Sequence, residues 1–125
     1  MKYLLFIPLF ILASAFTNSN AQSPILNALK LGDASRISSY FDAFIDLKLP
    51  EKDELKTVGK VQASITFENF YEQNKINGFE LSSQRELGNT MYITGKLNCP
   101  DRKFNITLMI KNKGDSQQII TVRIS

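Results

Sequence analysis

The chain has 125 residues, 43% of them hydrophobic and 22% charged, with a formal net charge of +3 at pH 7. That leaves room for one globular core and excludes a disordered, collagen-like or low-complexity polypeptide. It has no His, no Trp and one Cys, so the commonest general base, the commonest metal ligand and any thiolate cluster are missing, and no metal or cofactor is expected. The small excess of Lys and Arg is scattered rather than gathered in a stripe, which argues against nucleic acid as a partner.

Lys2 precedes the uncharged run Tyr3 to Leu12. This has the length of a signal-peptide apolar region, is too short to cross a bilayer, and is interrupted by Pro8. Ala13-Ser14-Ala15 and Ser19-Asn20-Ala21 are the two small-residue cleavage sites. The second is preferred, because a polar stretch already separates it from the apolar run. Residues 1–21 are thus expected to be a signal peptide and residues 22–125 one exported domain, periplasmic or extracellular in a Gram-negative bacterium. No stable membrane anchor is expected after processing. Cys99 is alone; it is expected to be buried as a small hydrophobe and to form no disulfide between chains.

Ser23-Pro24 is a cap residue followed by Pro at the first helical position, with Ile25, Leu26 and Leu29 at helical spacing and Gly32 as the stop. Asp33 can cap a second helix whose Ala34, Ile37, Phe41 and Phe44 form one apolar stripe, flanked by Tyr40. No strand is expected between Pro24 and Phe44. From Ile45 the period shortens to two until Pro50, as in a short edge strand. Glu51 to Lys56 reads as an exposed connection, and Val58 to about Asn74 as a third helix. Its apolar residues fall on two sides, Val58, Val61 and Ile65 on one, Ala63, Phe67, Phe70 and Tyr71 on the other, so more than one neighbour should cover it.

After Asn77-Gly78 the pattern is strand and turn. Runs of alternating apolar residues at Phe79–Leu87, Met91–Cys99, Phe104–Lys111 and Gln118–Ile124 are separated by Gly88-Asn89, Pro100-Asp101 and Lys113-Gly114-Asp115. In the last run Ile120, Val122 and Ile124 are expected to share the inner face, and Met109 and Ile119 the outer one. Gly95 inside a strand marks a bulge. Helices followed by an antiparallel meander give an α+β fold, three helices packed on the concave face of a strongly curved sheet. Phe41, Ile65, Phe70, Ile93, Leu97, Ile106 and Leu108 are expected among its most buried residues.

This order of elements, with Leu29 through Pro50, Val61-Gln62-Ala63, Gly78-Phe79-Glu80, Tyr92 to Leu97 and Phe104 to Leu108, resembles the nuclear transport factor 2-like superfamily. Within it the sequence is most similar to a family of small secreted bacterial proteins of unknown function, DUF4783. The resemblance implies a cone-shaped sheet wrapped around helices that often encloses a pocket. Some members of that superfamily are isomerases, dehydratases or polyketide cyclases, whose acid and base are a His with an Asp, or an Asp with Tyr donors. The first pattern fails here for want of His. Asp42, Asp46, Tyr40 and Tyr92 are the candidate pieces of the second, each with an ordinary alternative: solvated carboxylates, and tyrosines packed with their hydroxyls at the rim.

Phe41, Phe67, Phe70, Tyr71 and Tyr92 are the candidates to line an apolar pocket, although three large side chains within Phe67–Tyr71 also suit the domain's own core. The expected function is a non-catalytic binding or interaction module for a small apolar ligand or a partner protein, with a small isomerase- or cyclase-type enzyme as the alternative. Association, where it occurs, is expected to be a homodimer through the outer sheet face or the Phe67–Tyr71 helix.

Overall fold

The computed structural model of the chain describes residues 23–125, so the expected signal peptide lies outside the described residues. Helix α1 (Pro24–Leu31) starts as its sequence requires: Ser23 Oγ accepts from the Ile25 and Leu26 amides at 3.1 and 3.3 Å. It ends at Gly32, whose φ of +67° and whose approach to the Asn77 backbone, 2.7 Å from where a Cβ would stand, leave no room for another residue. Asp33 Oδ1 accepts from the Arg36 amide at 3.0 Å and caps α2 (Ala34–Ser38). The chain continues as β1 (Phe41–Lys48), β2 (Leu55–Gly59), α3 (Lys60–Asn74), β3 (Gly78–Leu87), β4 (Thr90–Asn98), β5 (Lys103–Lys113) and β6 (Ser116–Ile124).

The six strands form one open sheet in the order β2-β1-β6-β5-β4-β3. Met91, Ile93, Leu97, Phe104, Ile106, Leu108, Ile110, Ile119, Val122 and Ile124 are all buried and join Ile25, Leu29, Ile37, Phe67 and Tyr71 of the helices in one core. Register shifts interrupt the β1–β2, β1–β6, β3–β4 and β5–β6 ladders; such bulges raise local twist and let a sheet bend around helices. One of them lies across from Gly95, between Leu81 and Ser83.

The α+β class is as expected, and several details differ. Helix α2 stops at Ser38, and Phe41 and Phe44 belong to β1. Phe41, Ile45, Leu47 and Leu49, all buried, fit a period of two as well as Ala34, Ile37, Phe41 and Phe44 fit a helix. Pairing with β6 decides between them, beginning with the Ile119 amide donating to the Tyr40 carbonyl at 2.8 Å. That pairing is parallel, so the sheet is mixed and β1 lies inside it. The edge strand beside β1 is β2, in a segment read as loop and helix start; β3 forms the opposite edge.

In β6 the register shift leaves Ile120 as the extra residue and turns Ile119 into the core. Phe41, Ile93, Leu97, Ile106 and Leu108 are at most 1% exposed, whereas Ile65 is 51% exposed and Phe70 is only partly buried. Cys99 is half-buried, its Sγ donating to the Arg102 carbonyl at 2.9 Å.

Candidate functional site

Alternation along the strands determines what the concave face presents at its open end. In register, Gln84 and Glu86 of β3 stand opposite Ile93 and Met91 of β4, and Asn112 of β5 stands opposite Gln117 of β6, two residues beyond Ile110. The face that is apolar through Ile93, Leu108 and Ile110 is therefore polar at its mouth. These side chains, with Tyr40 from the α2–β1 connection, Ser23 at the start of α1 and the β5–β6 hairpin, surround a cavity of about 810 Å³.

Its polar groups are partly fixed by one another. Ser23 Oγ donates to Gln117 Oε1 at 3.4 Å and Gln117 Nε2 donates to Asn112 Oδ1 at 3.0 Å. Gln84 Nε2 reaches Met91 Sδ at 3.2 Å. Gln118 also borders the cavity, but it stands opposite Lys111 in the β5–β6 ladder, so its side chain alternates to the strand side away from Asn112 and Gln117. Among the described residues no Lys or Arg lines the cavity, and its two carboxylates, Glu86 and Asp115, are exposed. Met91 is the buried apolar member of the lining.

Of the candidate acid–base residues only Tyr40 borders this cavity. Asp42 lies on β1 and pairs with Lys113 at 3.2 Å. The Ala43 amide donates to it at 2.9 Å and, with Lys113, holds its carboxyl below the usual range, the opposite of what a base at neutral pH needs. Asp46 Oδ1 accepts from the Thr57 amide at 2.8 Å. It thereby braces a β-branched residue held at a φ of +51°, which is a structural task. Tyr92 faces Arg85 and Met109 across its two ladders, on the strand side away from buried Met91 and Ile93. The two Asp and two Tyr residues do not converge.

The aromatic candidates pack together rather than around a space. Phe67 meets Phe41 edge-on with ring centroids 5.4 Å apart, and Tyr71 lies 4.6 Å from Phe67. All three are at most 4% exposed, and burial raises the Tyr71 hydroxyl pKa, its oxygen having no partner among the described residues. Phe70 stands apart, edge-on to Phe104 at 5.2 Å, with the Arg102 guanidinium 4.6 Å over the Phe104 ring. These three residues line a smaller hollow of about 360 Å³ with Lys52, Asn69 and Gln73.

Mouth residues Gln84, Asn112 and Gln117 are not among the candidates that the sequence offers. Their signal is an amide at a position where strand alternation calls for an inward apolar side chain.

The bent mixed sheet with helices on its concave face is the nuclear transport factor 2-like fold. The chain belongs to the DUF4783 family, a domain of unknown function whose model matches residues 22–125. A DUF4783 family protein from Bacteroides ovatus is 20% identical, with 83% of this chain and 93% of that one covered and a TM-score of 0.72. Another from Bacteroides fragilis is 19% identical over 84% and 97%, with a TM-score of 0.71. An NTF2-like protein of unknown function from Cytophaga hutchinsonii is 12% identical over 82% of each chain, with a TM-score of 0.55. No curated protein matches the chain.

Proposed function

We propose that the chain is a non-catalytic binding module whose ligand site is the cavity at the open end of the sheet. The observation that carries this reading is a cavity of about 810 Å³, within the roughly 300–1000 Å³ of small-molecule sites, into which the candidate acids and bases do not converge. An Asp–Tyr isomerase or cyclase needs a carboxylate beside a Tyr hydroxyl at the reacting atom. Here Asp42 is held by Lys113 and the Ala43 amide, and Asp46 by the Thr57 amide. The polar lining favours a polar ligand over the apolar one the sequence suggested.

The test is an NMR screen of a chemically diverse fragment library on the labelled domain. Hits are expected to move resonances of Gln84, Met91, Asn112 and Gln117 together. Hits confined to the Phe70–Phe104 hollow, or no hits at all, overturn the assignment.

Export and self-association belong to the same reading. Lys2 and the apolar run before Ala21 support secretion, with the intact mass of protein recovered from its native cell as the check; a chain still beginning at Met1 refutes it. Phe44, Val61 and Ile65, exposed at 61%, 75% and 51%, support a homodimer. Sedimentation at micromolar concentration with and without reductant checks it, and a single monomeric species refutes it.

A further inference from the structure

We infer that the mouth cavity takes an uncharged, hydroxyl-rich ligand of the saccharide class, a deepening that rests on the cavity being the ligand site. The charges at the cavity carry the first step. An anionic ligand, whether phosphate, carboxylate or sulfate, would be held by Lys or Arg, and among the described residues neither lines the cavity. The two nearest lysines on β5 do not serve it: Lys113 is committed to Asp42, and Lys111 alternates to the other side of the strand from Ile110 and Asn112.

A buried cation requires a desolvated carboxylate opposite it. Glu86 and Asp115 are both exposed at the rim, whereas the half-buried lining includes Ser23, Asn112 and Gln117, a hydroxyl and two amides that carry no charge. The half-buried lining therefore suits a neutral guest.

The second step is hydrogen-bond type. A side-chain amide offers two donors and an acceptor. The internal bonds fix Asn112 through its oxygen and Gln84 through its nitrogen, so that among the described residues Asn112 Nδ2 remains a free donor and Gln84 Oε1 a free acceptor. A hydroxyl both donates and accepts, so neighbouring hydroxyls on one ring can meet a donor and an acceptor of this lining together. Met91 and the Tyr40 ring supply the small apolar area that the C–H face of a sugar needs.

The experiment titrates the labelled domain, residues 22–125, with cellobiose, maltose, lactose and diacetylchitobiose at millimolar concentration. Glucose 6-phosphate and spermidine are the anionic and cationic counterparts. At least one disaccharide is expected to shift the side-chain amide signals of Asn112, Gln117 and Gln84, with both charged probes weaker by tenfold or more. Asn112→Asp, which keeps the shape and replaces the free donor by an acceptor, should lower that affinity at least tenfold. Gln84→Leu, at an exposed position whose change leaves folding intact, should lower it severalfold.

Disaccharides that leave these signals unmoved overturn the inference, as does binding indifferent to both substitutions. Spermidine or the phosphate moving the same signals in their place overturns the saccharide class while leaving the cavity as the ligand site. Failure of the cavity itself is read separately, from the fragment screen.

Discussion

Gly95→Ala tests the account of how the sheet bends. A Cβ at Gly95 would stand 2.5 Å from Cε1 and Cζ of the Phe79 ring, and closer still to the Glu80 carbonyl oxygen. Phe79 is 7% exposed and part of the core, and the carbonyl is backbone, so neither obstacle swings aside as a surface side chain would. Forcing a methyl into such a place costs about 1–3 kcal/mol, here toward the upper end because a backbone atom must move. Against this, Ala restricts the unfolded chain and returns about 0.5–1 kcal/mol.

The expected net loss is about 2 kcal/mol, equivalent to a fall in Tm of roughly 10 °C for a domain of this size. The assay is urea unfolding of the wild type, Gly95→Ala, Phe79→Leu and the double variant. Trimming Phe79 opens part of the space the methyl needs, so the two changes should couple, the pair costing less than the sum by at least about 0.5 kcal/mol. Gly88→Ala is the control. Its φ of +64° strains an L residue, but nothing lies within 4 Å, so about 1–2 kcal/mol is lost with no coupling to Phe79. A Gly95→Ala protein as stable as the wild type, or strictly additive costs with Phe79→Leu, would refute the reasoning.

Phe67→Ala, which empties a fully buried site touching Phe41 and Tyr71, should cost about 3–5 kcal/mol in urea unfolding. Ile65→Ala on the open side of the same helix should stay within about 0.5 kcal/mol of wild type. Folding lowers the Asp42 pKa, so its contribution is present above the unfolded carboxyl value and disappears as pH falls through the lower folded one. Asp42→Asn should therefore lose a small increment at pH 7, about 1 kcal/mol or less for so exposed a pair, and match the wild type in acid; a gap that widens in acid contradicts the assignment.

Local chemistry made most of the fold legible. Ser23-Pro24, Gly32 and Asp33 announce the helix ends because capping and left-handed backbone are decided within a few residues. The hairpins of β3 to β6 announce themselves through turn residues and alternation. What escaped depends on partners far along the chain. Phe41 satisfies a helical and a strand period equally, and its pairing with Ile119 decides between them. The parallel direction of β1 against β6 leaves no mark in either strand's composition. Leu55 to Gly59 is an edge strand, exposed or half-buried throughout, and an edge strand open to water reads like a loop. Gly95 did point to a bulge because only glycine fits there, whereas the bulge at Ile120 carries no such residue, and its displacement of Ile119 into the core went unseen.

The site was less legible than the core, for a reason of scale. The acid–base candidates follow from the residue types that the superfamily resemblance implies, and Asp42, Asp46, Tyr40 and Tyr92 come from three different places: β1, a connection and β4. In a bent sheet the two faces of one strand look into different environments. Asp42 and Tyr92 therefore stand away from the concave side that Phe41 and Ile93 help to fill. Large aromatic side chains near one another were natural candidates for a pocket, and Phe41, Phe67 and Tyr71 instead fill the space between helix and sheet, because burying their area is the strongest stabilisation available to a domain with no disulfide. The cavity forms where that filling stops. Beyond Ile110 and Ile93 the inward positions pass to Asn112, Gln117 and Gln84, residues that neither extend the core nor pair into salt bridges. An inward-facing amide at the end of an apolar strand face is thus the mark by which this kind of site is read from sequence, once the register of the strands is known.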